Sequence, residues 1–143
     1  MKVEKGDIII EGPGIIKAKD ATYSMAVWAR GGNITIKNGE FYNGGNNCDT
    51  IYASNGTITI EGGYFEANGF TDPKESGTQN PYSVLNCLDS AYKATPKKAD
   101  IIVNGGIFKN FNPANNLSEG PNTTFVNKDK YVVVKAVKTN DGW

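Results

Sequence analysis

Apolar and polar residues alternate in the same short pattern four times along the chain. Thr57-Ile-Thr-Ile-Glu-Gly-Gly-Tyr-Phe65 is matched by Asn33-Ile-Thr-Ile-Lys-Asn-Gly-Glu-Phe41 and by Asp100-Ile-Ile-Val-Asn-Gly-Gly-Ile-Phe108. Asp7-Ile-Ile-Ile-Glu-Gly-Pro-Gly-Ile15 is a fainter copy. Each copy is apolar at its second, fourth and ninth positions, with a glycine-bearing corner between. Alternation with period two predicts a strand, and glycine supplies the backbone a sharp corner needs. The copies begin at residues 7, 33, 57 and 100, the spacing of a repeat architecture.

A further strand precedes each later copy. Residues 22–31 and 48–55 align Val27 with Ile51 and Trp28 with Tyr52, and Pro81-Tyr-Ser-Val-Leu-Asn86 puts Val84 and Leu85 at those two positions. Three short strands per repeat predict an all-β fold, a single-stranded parallel β-helix (solenoid) of about four coils with protruding loops. An antiparallel sandwich is the alternative, but it would not require the same side chain at the same offset in every copy. The expected coils are 7–31, 33–55, 57–86 and 100–137 of one domain, 1–143. Inward ladders are expected at Ile8/Ile34/Ile58/Ile101, Ile10/Ile36/Ile60/Val103, Ile15/Phe41/Phe65/Phe108 and Val27/Ile51/Val84.

Two polar, turn-rich stretches, 67–81 and 88–99, read as loops leaving the coils, and 109–143 as a C-terminal cap in which Phe111 and Leu117 plug the last coil. The first coil has only Met1 to Lys5 to cover its end, so pairing with another copy is expected there. With Val27, Ile51 and Val84 pointing in, Trp28, Tyr52 and Leu85 should stack as an outward apolar ladder, the mark of a subunit or ligand surface. Tyr42 and Tyr64 flank the motif phenylalanines and extend that aromatic surface, which suits the faces of sugars. The competing reading is a loop folded over Trp28.

Composition narrows the chemistry. Lys+Arg and Asp+Glu each number 15 in 143 residues, and no basic run occurs, so a nucleic-acid partner is not expected. No apolar stretch is long enough to span a membrane, and none is expected as a partner. Histidine is absent, which removes a Ser-His-Asp triad and a histidine base. Cys48 and Cys87 lack metal-ligand spacing and read as two thiols packed near the core or as one disulfide. Asp49, Asp89 and Arg30 lie near equivalent corners, but the set is sparse for sugar cleavage, which wants a facing carboxylate pair. No catalytic, cofactor or metal site is expected, and the chain is not read as an enzyme.

Gly-Gly-Asn-Ile-Thr-Ile-Lys-Asn-Gly-Glu-Phe (31–41), Asp-Thr-Ile-Tyr-Ala-Ser-Asn-Gly (49–56) and Phe-Asn-Pro-Ala-Asn-Asn (111–116), followed by Asn-Thr-Thr-Phe-Val (122–126), carry a resemblance. Over roughly residues 7–135 the chain resembles a right-handed parallel β-helix module of bacteriophage virion proteins, of the tail-fibre, head-fibre or appendage type. The resemblance implies a virion location, a structural or host-attachment role, assembly as a homotrimer with other virion proteins, and contact with host surface glycans. It carries over no catalytic residue. Fibre proteins of this kind carry an attachment region ahead of the module, and hardly any sequence stands there in this chain. A bacterial cell-surface carbohydrate-binding module is the alternative function, and a fragment of a polysaccharide-degrading enzyme is the third.

Overall fold

The computed structural model describes residues 1–19, 21, 24–43, 49–67, 84–114 and 124–134. Among the described residues twelve strands run in parallel: β1 Lys2–Val3, β2 Asp7–Ile10, β3 Ile15–Lys17, β4 Val27–Arg30, β5 Asn33–Ile36, β6 Glu40–Tyr42, β7 Ile51–Ile60, β8 Tyr64–Glu66, β9 Leu85–Cys87, β10 Ala99–Val103, β11 Gly106–Lys109 and β12 Tyr131–Val134. One short helix, α1 (Asp89–Tyr92), lies between β9 and β10.

These strands do not form the expected single β-helix solenoid. They make two parallel sheets, one of seven strands and one of five, and one of the two is curled into a half-barrel. β7 is the reason. Its ten residues pair with β4 and β9 through the first half and with β5 and β10 through the second. What would have been two separate walls is therefore one continuous sheet. Gly31 and Gly32 break β4 from β5, but Asn55 and Gly56 stay inside β7 although they read as a turn. Pairing jumps from Ala29–Ala53 to Arg30–Asn55, so Ser54 is an extra residue in β7. Such a bulge bends its strand and adds local twist. Gly56 adopts φ +95°, and a Cβ there would run into the Gly32 carbonyl at the break between β4 and β5, so only glycine fits.

Register inside the sheets follows the repeated offsets. Ile8, Ile34, Ile58 and Ile101 stand side by side, as do Ile10, Ile36, Ile60 and Val103. Phe65 lies between Phe41 and Phe108, with ring centroids 5.0 Å apart on both sides and planes within 9° and 15° of parallel. All three rings are buried.

Two expected ladder positions are shifted by one residue. Ile16, not Ile15, pairs with Phe41; Ile15 pairs with Glu40 and is 68% exposed. Residues 11–14 make a corner one residue longer than 37–39, because Pro13 is added, and this moves the inward position on by one. Likewise Ile51 pairs with Leu85 rather than Val84. Ile8 keeps its register but is 37% exposed, because β2 is the last strand of its path.

The 88–99 stretch is packed. It holds α1, buries Ala91 and Ala99, and sets the Tyr92 ring edge-on to Phe125 at 5.8 Å. Phe111 and Phe125 are buried at the same end, where Val126 bridges Val103. Cys87 is buried. Cys48, Leu117, residues 68–81 of the first expected loop and the end of the chain from 135 lie outside the described residues.

Candidate functional site

The outer face of the five-stranded sheet carries the densest array of functional side chains. Its order is β12-β11-β8-β6-β3. Because side chains alternate along a strand, the residues on either side of the buried phenylalanines point outward. Pairing then lines up Ile15, Glu40, Tyr64 and Ile107 in one row, and Lys17, Tyr42 and Glu66 in the next. Val132, paired with Ile107, continues the first row, and Lys109 with Val134 the second.

Tyrosine and glutamate swap places between neighbouring strands. The Tyr42 hydroxyl donates to Glu40 Oε2 at 2.7 Å, two residues away on its own strand. The Tyr64 hydroxyl donates to Glu66 Oε2 at 2.8 Å, again two residues away. Lys109 Nζ donates to the other Glu66 oxygen at 2.8 Å, a pair both of whose members are partly shielded. The rings of Tyr42 and Tyr64 lie 5.9 Å apart and tilted by 48°. The hydrogen bond to Glu40, with burial and that negative charge, pushes the Tyr42 hydroxyl up to about 12. Burial, then the bond to Glu66, pushes Tyr64 higher still. Both phenols are therefore neutral donors, already oriented, through the physiological range.

A groove of about 440 Å³ runs beside this face, across successive corners of the chain. Gly14, Gly39, Gly63 and Gly106 line it together with Glu40, Tyr64, Ile107, Val132 and Lys130. The carbonyls of Gly14, Gly39 and Gly63 accept from the amides of Glu40, Tyr64 and Ile107.

A second aromatic pair lies on the seven-stranded sheet. Trp28 and Tyr52 are neighbours at 6.0 Å and are half-buried. The Trp28 Nε1–H donates to Ser54 Oγ at 2.8 Å, so the bulge residue fixes the indole. Leu85 does not join them. It is 0% exposed, and Asn86 takes the place beside Tyr52, because the strand runs one residue out of the expected register. The expected apolar ladder is therefore Lys2, Trp28, Tyr52 and Asn86, polar at both ends. Lys2 donates to Glu4 at 2.8 Å, and this pairing holds the Glu4 carboxyl below its usual range.

Asp49, Asp89 and Arg30 are engaged separately: Asp49 accepts from Asn86 at 2.9 Å, Asp89 pairs with Lys93 at 2.9 Å, and Arg30 with Glu4 at 3.5 Å. Among the described residues no cluster of three or more His, Cys, Asp or Glu could hold a metal ion, and no helix is long and apolar enough to cross a membrane. Compared with protein-family models, curated proteins and solved structures, the chain matches none.

Proposed function

We propose that this chain is a non-catalytic, structural binding module whose five-stranded sheet recognises glycans, in the setting of a bacteriophage fibre or appendage that contacts a host surface. The observation that carries the reading is Tyr64, which lines a glycine-rich groove, is oriented by Glu66 and has the Tyr42 ring, oriented by Glu40, beside it. Sugars present CH-rich faces and rings of hydroxyls. Aromatic rings match the first, and carboxylates and neutral phenols match the second. Anchoring on neighbouring strands fixes these groups before a ligand arrives, which lowers the ordering cost of binding. The virion setting rests on the sequence resemblance.

The test is a screen of oligosaccharides by glycan array, followed by calorimetric titration of any ligand found. Tyr64→Ala is expected to weaken binding by about tenfold or more, as for a central aromatic anchor. Thermal unfolding of the variant shows that the sheet is retained. If no oligosaccharide binds, or if Tyr64→Ala binds as tightly as the original chain, the reading fails.

A further inference from the structure

We infer that the Trp28 face of the seven-stranded sheet is a second sugar site, and that it takes a carboxylate-bearing sugar, with Arg30 meeting the acid and Trp28 and Tyr52 carrying the ring. The ligand class rests on the proposal that the chain binds glycans, but the residues are different ones on a different sheet.

Two cations flank one indole. Arg30 Cζ lies 5.3 Å from the Trp28 ring centroid and Lys2 Nζ 5.7 Å. Lys2 stands beside Trp28 on the neighbouring strand, and Arg30 is two residues along from it, so all three share one face. Among the described residues a single carboxylate, Glu4, serves both cations, through contacts of 2.8 Å to Lys2 and 3.5 Å to Arg30. That cluster therefore carries one positive charge in excess. The Arg30 contact is the longer one and both its partners are more than half exposed, so it is loosely held and open to exchange.

A guanidinium offers a planar fork that matches a carboxylate with two hydrogen bonds. The Trp28 and Tyr52 rings are apolar, while Asn86 beside Tyr52 and Ser54, which accepts from the indole N–H, make the margin polar. Cation, aromatic platform and polar margin together fit a uronic-type sugar. On the five-stranded sheet the aromatics lie against Glu40 and Glu66 instead, which fits uncharged sugars. The two faces thus differ in the charge of the ligand they accept.

The experiment uses the full chain with Trp143→Phe, which leaves Trp28 as the only tryptophan reporter. Oligogalacturonate and its fully methyl-esterified form, of equal length, are titrated while Trp28 fluorescence is followed. The acid is expected to give a saturable change, with the ester about tenfold weaker or more, the scale of a charge-assisted pair. Arg30→Gln should bring the acid down to the ester's affinity and leave the ester unaffected. Equal binding of acid and ester, or an Arg30→Gln variant that binds the acid as before, overturns the inference. So does a Trp28 signal that follows protein concentration and ignores sugar, since a second copy would then occupy the face. A silent Trp28 beside intact Tyr64-dependent glycan binding overturns this site alone. Absence of any sugar binding on either face overturns the glycan reading as well.

Discussion

Glu40, Tyr42, Tyr64 and Glu66 show how much two residues' spacing can arrange. Each tyrosine reaches a carboxylate two positions away on its own strand, and the order is reversed between β6 and β8. This crossed pattern is visible in the sequence as Glu-Phe-Tyr against Tyr-Phe-Glu around the motif phenylalanines. The aromatic members stand out in the sequence by type, but their carboxylates do not, because a glutamate on an outward-facing strand position reads as ordinary solvated charge even two residues from a tyrosine. A pH prediction follows. The folded chain raises the Tyr42 hydroxyl above its ordinary value of 10.0, to about 12, so it favours the neutral phenol. That contribution to stability is whole below pH 10 and is lost as the pH rises towards about 12. Ultraviolet titration of tyrosinate is expected to show late-ionising groups, and Glu40→Gln should bring Tyr42 back towards the ordinary value. An unchanged titration in that variant would assign the shift to burial.

At the scale of elements, the phenylalanine stack couples the sheets to the repeat. Phe65 has an aromatic neighbour on both sides and is fully buried, so it joins β6, β8 and β11 through one column. Phe65→Ala is expected to cost about 3–5 kcal/mol, because the flanking strands are held in register and cannot close the cavity. Chemical denaturation measures it; a loss below about 1 kcal/mol would mean that the column collapses around the gap. The Ile34/Ile58/Ile101 and Phe41/Phe65/Phe108 columns were legible in the sequence because equal offsets separate equivalent residues in three copies. The register at Ile15 was not, since Pro13 lengthens one corner, and neither was that at Leu85, where Val84 is an equally apolar neighbour. The joining of two strand sets through β7 was also hidden. Asn55-Gly56 has turn chemistry, and the pairing of Asn55 with Arg30 and of Gly56 with Ala99 keeps it inside β7. The groove escaped for a related reason: its glycines are legible as corners, while the cleft they form exists only once the corners stack.

For the whole molecule, the open question is what meets the outer face of the five-stranded sheet. Ile15, Ile107 and Val132 are 68%, 40% and 55% exposed in one row that also holds Tyr64, and Val134 is exposed in the next. An apolar row of this kind suits a subunit contact, and burying each large side chain would contribute about 1.5–3 kcal/mol. On the proposed reading, glycan binding and self-association would compete for the same surface, because Ile107 and Val132 also line the groove. The resemblance to phage appendages implies a homotrimer, and this row is a better seat for it than the Trp28 face, where Leu85 is buried and the row ends in Lys2 and Asn86. If the original chain sediments as a trimer, Ile107→Lys with Val132→Lys is expected to leave a folded monomer. The prediction has two independent readouts, mass in solution and the response of that mass to oligosaccharide. A trimer unaffected by both lysines places the contact elsewhere on the molecule. An original chain that is monomeric at high concentration leaves this face to the glycan alone.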